Sequence, residues 1–424
     1  MKEKKLVVIG GGAAGFFCAV NAARMHPKMQ VIMLEKTGKL LSKVKVSGGG
    51  RCNVTHACFS IGEIVKKYPR GASFLKNAFR HFFTTDTIQW FNDRGVELKR
   101  ESDGRMFPVT NNSQTIVNCL LDDAAKYQVQ IEMNADVTDI IKNEDQWQVK
   151  SGSGKSIDAD MVCIAAGGSA KASQFDWLRK MGHTIVDPVP SLFTFNMPGS
   201  TITELMGVSV ENVLIKIAGE KMQQDGPLLI THWGMSGPAV LKLSAYAAVL
   251  LAQKNYNFTS IVNWLPAYNE ISLREKLQLL RFELAPQKIV NRNPFNLPAR
   301  LWEYLLLQSG IQQDLRWADL PAKEQNKLIK NLCAQEFPVK GKTTFKEEFV
   351  TAGGIKTEEI NVNTMESKLH KGLFFAGEII NIDGVTGGFN FQSAWTTGWL
   401  AAQGAGLVAS EKIAAEDKQV RIND

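Results

Sequence analysis

Short apolar runs alternate with glycine-rich turns and helical patterns at the start of the chain. The run KLVVI leads into a glycine cluster, and AAGFFCAVNAARM follows with apolar residues at helical spacing. A second apolar run, QVIML, ends at Glu35. This order predicts a strand, a tight turn, a helix and a second strand, and it favours an α/β fold.

The same alternation of apolar and polar residues continues further along. WQVKS and the Gly-Ser turn after it predict a β-hairpin, and MVCIAAGG is typical of a buried strand that ends at Gly167 and Gly168. Strand and turn patterns therefore extend to about Pro188.

The pattern changes between Val189 and Pro338. SLFTFNM and VLIKIAG are typical of strands, whereas helical spacing runs through SLREKLQLLRFEL, PARLWEYLLLQSG and KEQNKLIKNLCAQ. Glycine turns return in GLFFAGE and GGFNFQSAWTTGWLAAQGAG. We therefore predict an α+β domain, residues 189–338, inserted between two parts of one α/β domain, residues 1–188 and 339–424.

Composition limits the class of protein. The 424 residues are 44% hydrophobic and 21% charged, as in ordinary globular proteins, and the formal charge of +7 suits an anionic cofactor or substrate. Lys and Arg are spread along the sequence, so we do not expect a nucleic acid partner.

Six cysteines without a C-x-x-C pair favour reduced thiols in the cytoplasm over a disulfide scaffold or a metal site. The longest apolar piece, SAYAAVLLA, is too short to span a membrane and predicts a buried helix.

The first glycine cluster carries a dinucleotide fingerprint. Gly10, Gly12 and Gly15 occupy the three glycine places of G-x-G-x-x-G, with Ala13 and Ala14 between the last two. Such a turn lets backbone N–H groups at a helix N-terminus approach a pyrophosphate. Glu35 follows about twenty residues later, where an acid binds ribose hydroxyls and disfavours the 2′-phosphate of NADP. The alternative is a tight β–α turn that binds no nucleotide.

A second glycine loop, SGGGRCN, follows so soon that it indicates one long ligand such as FAD. In that interpretation the loop is a backbone cradle, with Arg51 offering charge to the cofactor, Asn53 bonding locally and Cys52 packed as a small side chain. The other interpretation is a redox cysteine. Cys52 and Cys58 are one residue further apart than the C-x-x-x-x-C pair of flavin disulfide reductases, and the C-terminal block offers only His370 as a base.

Seven motifs together resemble the HI0933-like flavoproteins, which include aminoacetone oxidase and bile-acid-reductase-like proteins. They are IGGGAAG, SGGGRCNVTH, GRMFP, AAGG, THWGMSGPA, TAGGI and GLFFAGEIINIDGVTGGFNFQSAWTTG, and they run from Gly10 to Gly398. The resemblance implies a glutathione-reductase-like, Rossmann-type FAD domain split by an inserted domain. The segment GKLLSKVKVS is longer than in many members, so Lys45 is an alternative to Lys43 as the family lysine. The implied FAD contacts beyond the first glycine turn and its acid are Lys36, Lys43, Ser47, Gly48, Gly49, Gly50, Arg51, Cys52, Asn53, Val137, Ala166, Gly167, Gly168, Gly377, Glu378, Asp383, Gly387, Gly388, Phe389 and Asn390.

The C-terminal glycine turn is expected to face the flavin. A helix N-terminus there would stabilise negative charge on the pyrimidine edge of the reduced ring, through the backbone groups of Gly388, Phe389 and Asn390. Glu378 or Asp383 would accept a hydrogen bond from a ribityl hydroxyl.

The sequence gives weaker evidence for catalytic side chains than for cofactor-binding residues. His232, in THWGMSGPA, is either a general acid or a structural histidine, and Arg105, in GRMFP, either binds an anionic substrate or steadies its loop. Trp233, Trp395 and Trp399 either line a pocket or belong to the core.

These features predict an FAD-dependent oxidoreductase that transfers hydride between flavin N5 and a small organic substrate. The resemblance implies either reduction of an enone-type C=C bond or oxidation of a small amine. The sequence has no second nucleotide fingerprint, so NADH or NADPH would dock only transiently as electron donor. The alternatives are an RNA-associated flavoprotein and a flavin redox sensor without turnover.

Overall fold

The computed structural model describes residues 3–169, 171–343 and 350–423, with side chains described through Ala415. The helices are α1 (Ala13–Met25), α2 (Ser42–Gly50), α3 (Ile61–Ile64), α4 (Ala72–Ala78), α5 (Thr84–Asn92), α6 (Gln114–Lys126), α7 (Asp176–Lys180), α8 (Pro238–Tyr246), α9 (Ala248–Gln253), α10 (Glu270–Glu283), α11 (Ala299–Gln308), α12 (Ala322–Cys333) and α13 (Phe389–Asn423). The strands are β1 (Lys5–Ile9), β2 (Gln30–Glu35), β3 (Thr55–His56), β4 (Leu98–Arg100), β5 (Arg105–Pro108), β6 (Gln130–Met133), β7 (Val137–Asn143), β8 (Gln146–Ser151), β9 (Ser156–Ala159), β10 (Met161–Ile164), β11 (Ile185–Ser191), β12 (Thr194–Asn196), β13 (Ser209–Ile217), β14 (Gln223–Thr231), β15 (Gly234–Ser236), β16 (Asn257–Asn263), β17 (Gln335–Lys340), β18 (Lys342–Thr343), β19 (Val350–Ile355) and β20 (Leu373–Phe375). None of the helices in the described residues is both long and apolar enough to cross a bilayer.

The chain divides into two compact units. The first comprises Met1–Pro190 and Lys346–Asp424, and the second comprises Ser191–Phe345. The return to the first unit therefore comes later than the predicted position after Pro338. The reason is that β17 and β18 both belong to the sheet of the second unit.

A parallel sheet with the order β20-β10-β1-β2-β6 forms the centre of the first unit. Its central strands have apolar, buried interiors, and the side chains of Leu6, Val7 and Val8 are fully buried. Because the strands are parallel, the loops after β1, β2, β10 and β20 lie at one edge of the sheet. The predicted cofactor residues on these four loops are thereby placed together.

Two helices pack closely in this unit. A Cβ atom on Gly398 of α13 would come 2.6 Å from the carbonyl oxygen of Ala14 in α1, so glycine permits the close approach. The predicted hairpin is also present, since β8 pairs with β9 in an antiparallel sheet that includes β7.

The second unit is built on an antiparallel sheet with the order β17-β16-β13-β14-β15-β12-β18. Helices α10, α11 and α12 occur where helical spacing predicted them, and their apolar faces join one core with the sheet. The apolar piece SAYAAVLLA is divided between α8 and α9. Mixed strands and helices of this kind give an α+β unit.

Candidate cofactor and active site

The fingerprint turn shows a different role for each of its three glycines. Gly10 has a φ of +112°, and a Cβ atom there would overlap the carbonyl oxygen of Ala165. A Cβ atom on Gly15 would overlap the carbonyl oxygen of Gly10, so this glycine allows the helix to pack on the strand. Gly12 has nothing within 4 Å of its Cβ position. The backbone at Gly12 is thus open to a ligand, as a bound pyrophosphate requires.

Glu35, at the end of the neighbouring strand β2, forms a hydrogen bond with the backbone of the fingerprint turn. Its carboxylate accepts hydrogen bonds from the N–H of Gly11 at 2.8 Å and from the N–H and hydroxyl of Thr37 at 2.9 and 2.8 Å. These bonds hold the carboxylate beside the start of α1, where Ala13 and Ala14 are the first helical residues. Lys36 is exposed next to it, and Val137 begins β7.

Lys43 and Glu378 are brought together from distant parts of the sequence. The Nζ of Lys43 lies 2.7 Å from Oε2 of Glu378, whose Oε1 accepts from the N–H of Thr351 at 2.7 Å. A Cβ atom on Gly168 would come 2.7 Å from Oε1 of Glu378, so the loop of Ala166, Gly167 and Gly168 lies beside this carboxylate. A Cβ atom on Gly377 would come 2.7 Å from the Cβ of Ala14, so this cluster lies next to the fingerprint turn.

The SGGGRCN loop leaves helical geometry at its glycines. Gly48, Gly49 and Gly50 have φ angles of +59°, +68° and +81°, and the Cβ positions of Gly49 and Gly50 face open space. This is the open backbone that a cradle for FAD needs. Ser47 turns its hydroxyl inward and donates to the carbonyl of Val44 at 3.1 Å.

Arg51 differs from its predicted role of offering charge to the cofactor. Its NH1 lies 2.6 Å from a carboxylate oxygen of Glu101, its Nε donates to the carbonyl of Gly48 at 3.3 Å, and the guanidinium covers the ring of Phe107 at 4.0 Å. The positive charge is therefore neutralised inside the protein. These contacts connect Arg51 to its own loop and to Glu101.

Cys52 is a fully buried free thiol, and burial raises its pKa to about 12. The thiol is protonated at neutral pH and is a poor nucleophile. Cys58 is also a free thiol. The geometry agrees with a packed side chain and gives no support to a redox pair.

We expect Cys52→Ser and Cys58→Ser to keep the rate of flavin reduction, because both cysteines are free thiols and the buried Cys52, with its raised pKa, is a poor nucleophile. The measurement is the stopped-flow rate in the FAD-loaded fraction of each variant and of the parent. A large loss of rate with FAD still bound would contradict the packing role.

Asn53 connects the second glycine loop to the C-terminal turn. Its amide donates to the carbonyl of Thr55 at 3.0 Å and accepts from the N–H of Gly388 at 3.0 Å. The N–H of Gly388 is therefore occupied within the protein. Among the described residues, the N–H groups of Phe389 and Asn390 at the start of α13 have no acceptor, so they remain as donors for a flavin.

Asp383 has a different partner from the predicted ribityl hydroxyl. It is fully buried and forms a two-pronged ion pair with Arg70. Glu378 is thus the remaining candidate for the ribityl contact. Asn390 closes the turn itself, since its amide bonds both the N–H and the carbonyl of Gly384, at 2.8 and 2.9 Å.

His56 was not identified from the sequence, although it ends the motif SGGGRCNVTH. Its ring stacks on Phe389 with centroids 4.6 Å apart, and its Nδ1 lies 3.1 Å from the carbonyl oxygen of Gly387. Burial lowers the pKa of His56, so the ring is neutral at neutral pH and donates from Nδ1 to that carbonyl. The hydroxyl of Tyr68 donates to the carbonyl of Phe389 at 2.7 Å, which fixes the turn from the other side.

Arg105 lies in this part of the first unit, opposite His56 in the pairing of β3 with β5. Arg105 pairs with Asp103 at 2.6 Å and with Glu101 at 3.3 Å, which favours the loop-steadying role. His232 belongs to the second unit, where it lies edge-on to Trp233 at 4.1 Å. Trp395 is fully buried and donates to the carbonyl of Val54, and it is a core residue. Trp399 packs on Phe82.

Gly388→Val is expected to lower FAD occupancy. Its Cβ would come 2.6 Å from the backbone of Thr55, and the φ of +92° is unfavourable for a β-branched residue. The obstacle to a side chain at this position is therefore the protein backbone. The measurement is the ratio of FAD to protein, followed by the reduction rate in the loaded fraction.

Gly219→Val in the second unit is the matched control, because its φ is +77° and its Cβ position is open. Full occupancy and a parental rate in Gly388→Val would show that this turn does not shape the cofactor site.

Residues 4–404 match the family model described as HI0933-like protein Rossmann domain. A ribosomal RNA dihydrouridine synthase from Escherichia coli (strain K12) is 30% identical, over 95% of this chain and 98% of the relative. A 3-dehydro-bile acid delta(4,6)-reductase from Clostridium scindens is 26% identical, again over 95% and 98%. A flavocytochrome c3 fumarate reductase structure shares the fold, with a TM-score of 0.51 and 16% identity over 96% of this chain and 79% of that one. The chain belongs to the HI0933-like family, and the predicted class of FAD-dependent oxidoreductase with a split Rossmann-type domain is confirmed.

Proposed function

We propose that this oxidoreductase reduces a C=C bond that is conjugated with a carbonyl group. The observation that carries the proposal is the full-length likeness to two relatives whose names describe such reductions. A uracil ring saturated to dihydrouracil and a steroid with a conjugated Δ4,6 system both gain two hydrogen atoms at a double bond polarised by a carbonyl. These relatives favour reduction over the oxidation of a small amine.

The residues of the first unit support the binding of FAD in an extended form. The open backbone at Gly12 fits the pyrophosphate, Glu35 fits the adenosine ribose, and Glu378 fits the ribityl chain. When bound and reduced, the flavin would supply the hydride that this reaction class requires.

The protein contributes position and electrostatics around the flavin ring. The N–H groups of Phe389 and Asn390 point from the start of α13 and stabilise negative charge at a pyrimidine edge. His56 and Tyr68 hold the carbonyls of Gly387 and Phe389, so those donors keep their direction. Such fixed donors are effective because they need no reorganisation during the reaction.

A uracil base in ribosomal RNA is the first substrate to test. The relative with that activity is 30% identical over nearly the full length of both chains, and the net charge of +7 suits a polyanion. A steroid-type dienone is the second, because the bile-acid reductase is 26% identical over the same share of this chain.

The decisive experiment is anaerobic stopped-flow oxidation of the reduced enzyme. The protein is first shown to release FAD on heating, and FMN alone would overturn the cofactor assignment. The FADH₂ form is then mixed with unmodified ribosomal RNA, with a 4,6-dien-3-one steroid, or with buffer, and products are checked by mass spectrometry for two added hydrogen atoms. Reoxidation by one of the two substrates is expected, whereas reoxidation by neither would contradict the proposal.

The electron donor is tested in the same instrument with NADH and NADPH. We expect one of them to reduce the flavin without forming a stable complex, because the sequence holds a single dinucleotide fingerprint. Failure of both would exclude a nicotinamide donor.

A further inference from the structure

A strongly basic segment lies beside the C-terminal glycine turn. Residues 59–81, here called the basic segment, contain five basic side chains and one carboxylate, whereas the whole chain has 49 Lys and Arg against 42 Asp and Glu. The basic side chains are Lys66, Lys67, Arg70, Lys76 and Arg80, and the carboxylate is Glu63. The excess of positive charge in this segment is far above the average of the chain.

The basic segment is fixed to the turn by several contacts. The N–H of Val385 donates to the carbonyl of Lys67 at 2.9 Å, and the carbonyl of Phe389 accepts from Tyr68. Arg70 pairs with the buried Asp383. Lys67 and Arg70 are therefore held next to the helix start that faces the flavin in the proposed function, whereas Lys76 and Arg80 lie in and just after α4, which also packs on α13.

Two of the five cations are neutralised, because Arg70 pairs with Asp383 and Lys66 with Glu63. The other three, Lys67, Lys76 and Arg80, are exposed and have no acidic partner among the described residues. Arg100 is likewise exposed, and His56 experiences the charges of Asp103, Lys67 and Arg100, one carboxylate and two cations. Uncompensated cations concentrated in one place are the usual mark of a polyanion site.

The basic segment also begins with an exposed aromatic ring. Phe59 is 58% exposed, only three residues after His56. Exposed aromatic rings beside cations are typical of proteins that bind single-stranded nucleic acid, where bases stack on the rings and cations contact phosphates. A steroid substrate offers neither a row of phosphates nor a planar base.

We propose that the basic segment docks single-stranded RNA next to the flavin, with a base stacked on Phe59 and the phosphate backbone on Lys67, Lys76 and Arg80. This inference rests on the proposed function, in its ribosomal RNA form. In this proposal, the surface holds the RNA while the target uracil reaches the flavin ring.

The test compares two triple variants of the full-length, FAD-loaded protein. One carries Lys67→Ala, Lys76→Ala and Arg80→Ala, and the control carries Lys221→Ala, Lys323→Ala and Lys327→Ala on exposed positions of the second unit. Filter binding of unmodified, in vitro transcribed ribosomal RNA is measured from about 50 to 300 mM salt. In about this range, contacts to phosphates make the affinity fall steeply as the salt concentration rises.

The basic-segment triple variant is expected to bind RNA about ten-fold more weakly. Its slope of log affinity against log salt should be shallower by about 2, because each single-strand phosphate contact contributes about 0.7. The control variant should keep the parental slope. Phe59→Ala should also bind about ten-fold more weakly, but with the parental slope, because stacking releases no counterions.

Flavin absorbance and thermal unfolding of each variant show whether the fold is retained. Equal losses in the two triple variants, or no loss in the basic-segment variant, would overturn the docking surface while leaving RNA reduction by the parent intact. If the parent protein neither binds nor reduces RNA, both the docking surface and RNA as the substrate are wrong. If that same protein reduces the dienone, the proposed reaction class is still correct.

Discussion

Gly15→Ala is expected to destabilise the first unit by about 3 kcal/mol or more, whereas Gly12→Ala should leave the fold intact and weaken FAD binding about ten-fold. The Cβ atom that Gly15→Ala adds would overlap the carbonyl oxygen of Gly10, and neither backbone can move without separating α1 from β1. Gly12 has a φ of −92° and an open Cβ position, so alanine fits there without strain. The added methyl group would instead occupy the space of the pyrophosphate.

The two variants are compared by thermal unfolding of the FAD-free protein and by FAD titration. Gly15→Ala should lower the melting temperature with or without FAD. Gly12→Ala should melt like the parent when free of FAD and lose only the stabilisation that the cofactor adds. Parental FAD affinity in Gly12→Ala would show that the cofactor does not pass over this turn.

Asp383→Ala is expected to cost about 3–5 kcal/mol of unfolding free energy, because it leaves the charge of Arg70 without its partner in a mostly buried position. It also removes one of the contacts that fix the basic segment to the C-terminal turn, so FAD occupancy should fall. Denaturant unfolding followed by tryptophan fluorescence gives the free energy, and the absorbance ratio gives the occupancy.

A double variant separates charge from packing. Arg70→Met with Asp383→Leu removes both charges and should recover much of the lost stability, since a buried pair is often replaceable by apolar side chains. Glu63→Ala, which breaks the exposed pair with Lys66, should change stability by less than about 1 kcal/mol. A small cost for Asp383→Ala would mean that this ion pair does not hold the turn.

The start of the fold follows from local patterns in the sequence. The predicted strand, glycine turn, helix and strand occur as β1, α1 and β2, and α1 has the predicted bounds Ala13–Met25. Apolar periodicity and glycine placement act over a few residues, so the chain itself displays them. The same holds for the hairpin of β8 and β9.

The partners of charged residues could not be predicted in this way. Asp383 and Arg70 are 313 positions apart, and Arg51 and Glu101 are 50 positions apart. No local sequence pattern therefore indicates that these residues form pairs. The ion pairs of Arg51 and Asp383 were not predicted for this reason. His56 was missed because a single histidine has no pattern, and its stacking on Phe389 depends on contacts between the two ends of the first unit.

The positive charge of the basic segment, in contrast to these ion pairs, can be found from the sequence. Its charges are local and visible in the sequence, but counting Lys and Arg over the whole chain conceals them. The structure adds that two of the cations are neutralised and three are not, which is the distinction that matters for binding.

The order of strands in the parallel sheet has a consequence for synthesis on the ribosome. Strand β20, Leu373–Phe375, covers the edge of β10, and α13 packs on α1, so the first unit is completed by residues that are translated after the whole second unit. The second unit is continuous in sequence and has its own core, so it can fold while β10 still waits for its neighbour. During that interval the nascent chain exposes an apolar, unpaired strand edge, and this is the stage at which the protein is most exposed to aggregation and most dependent on chaperones.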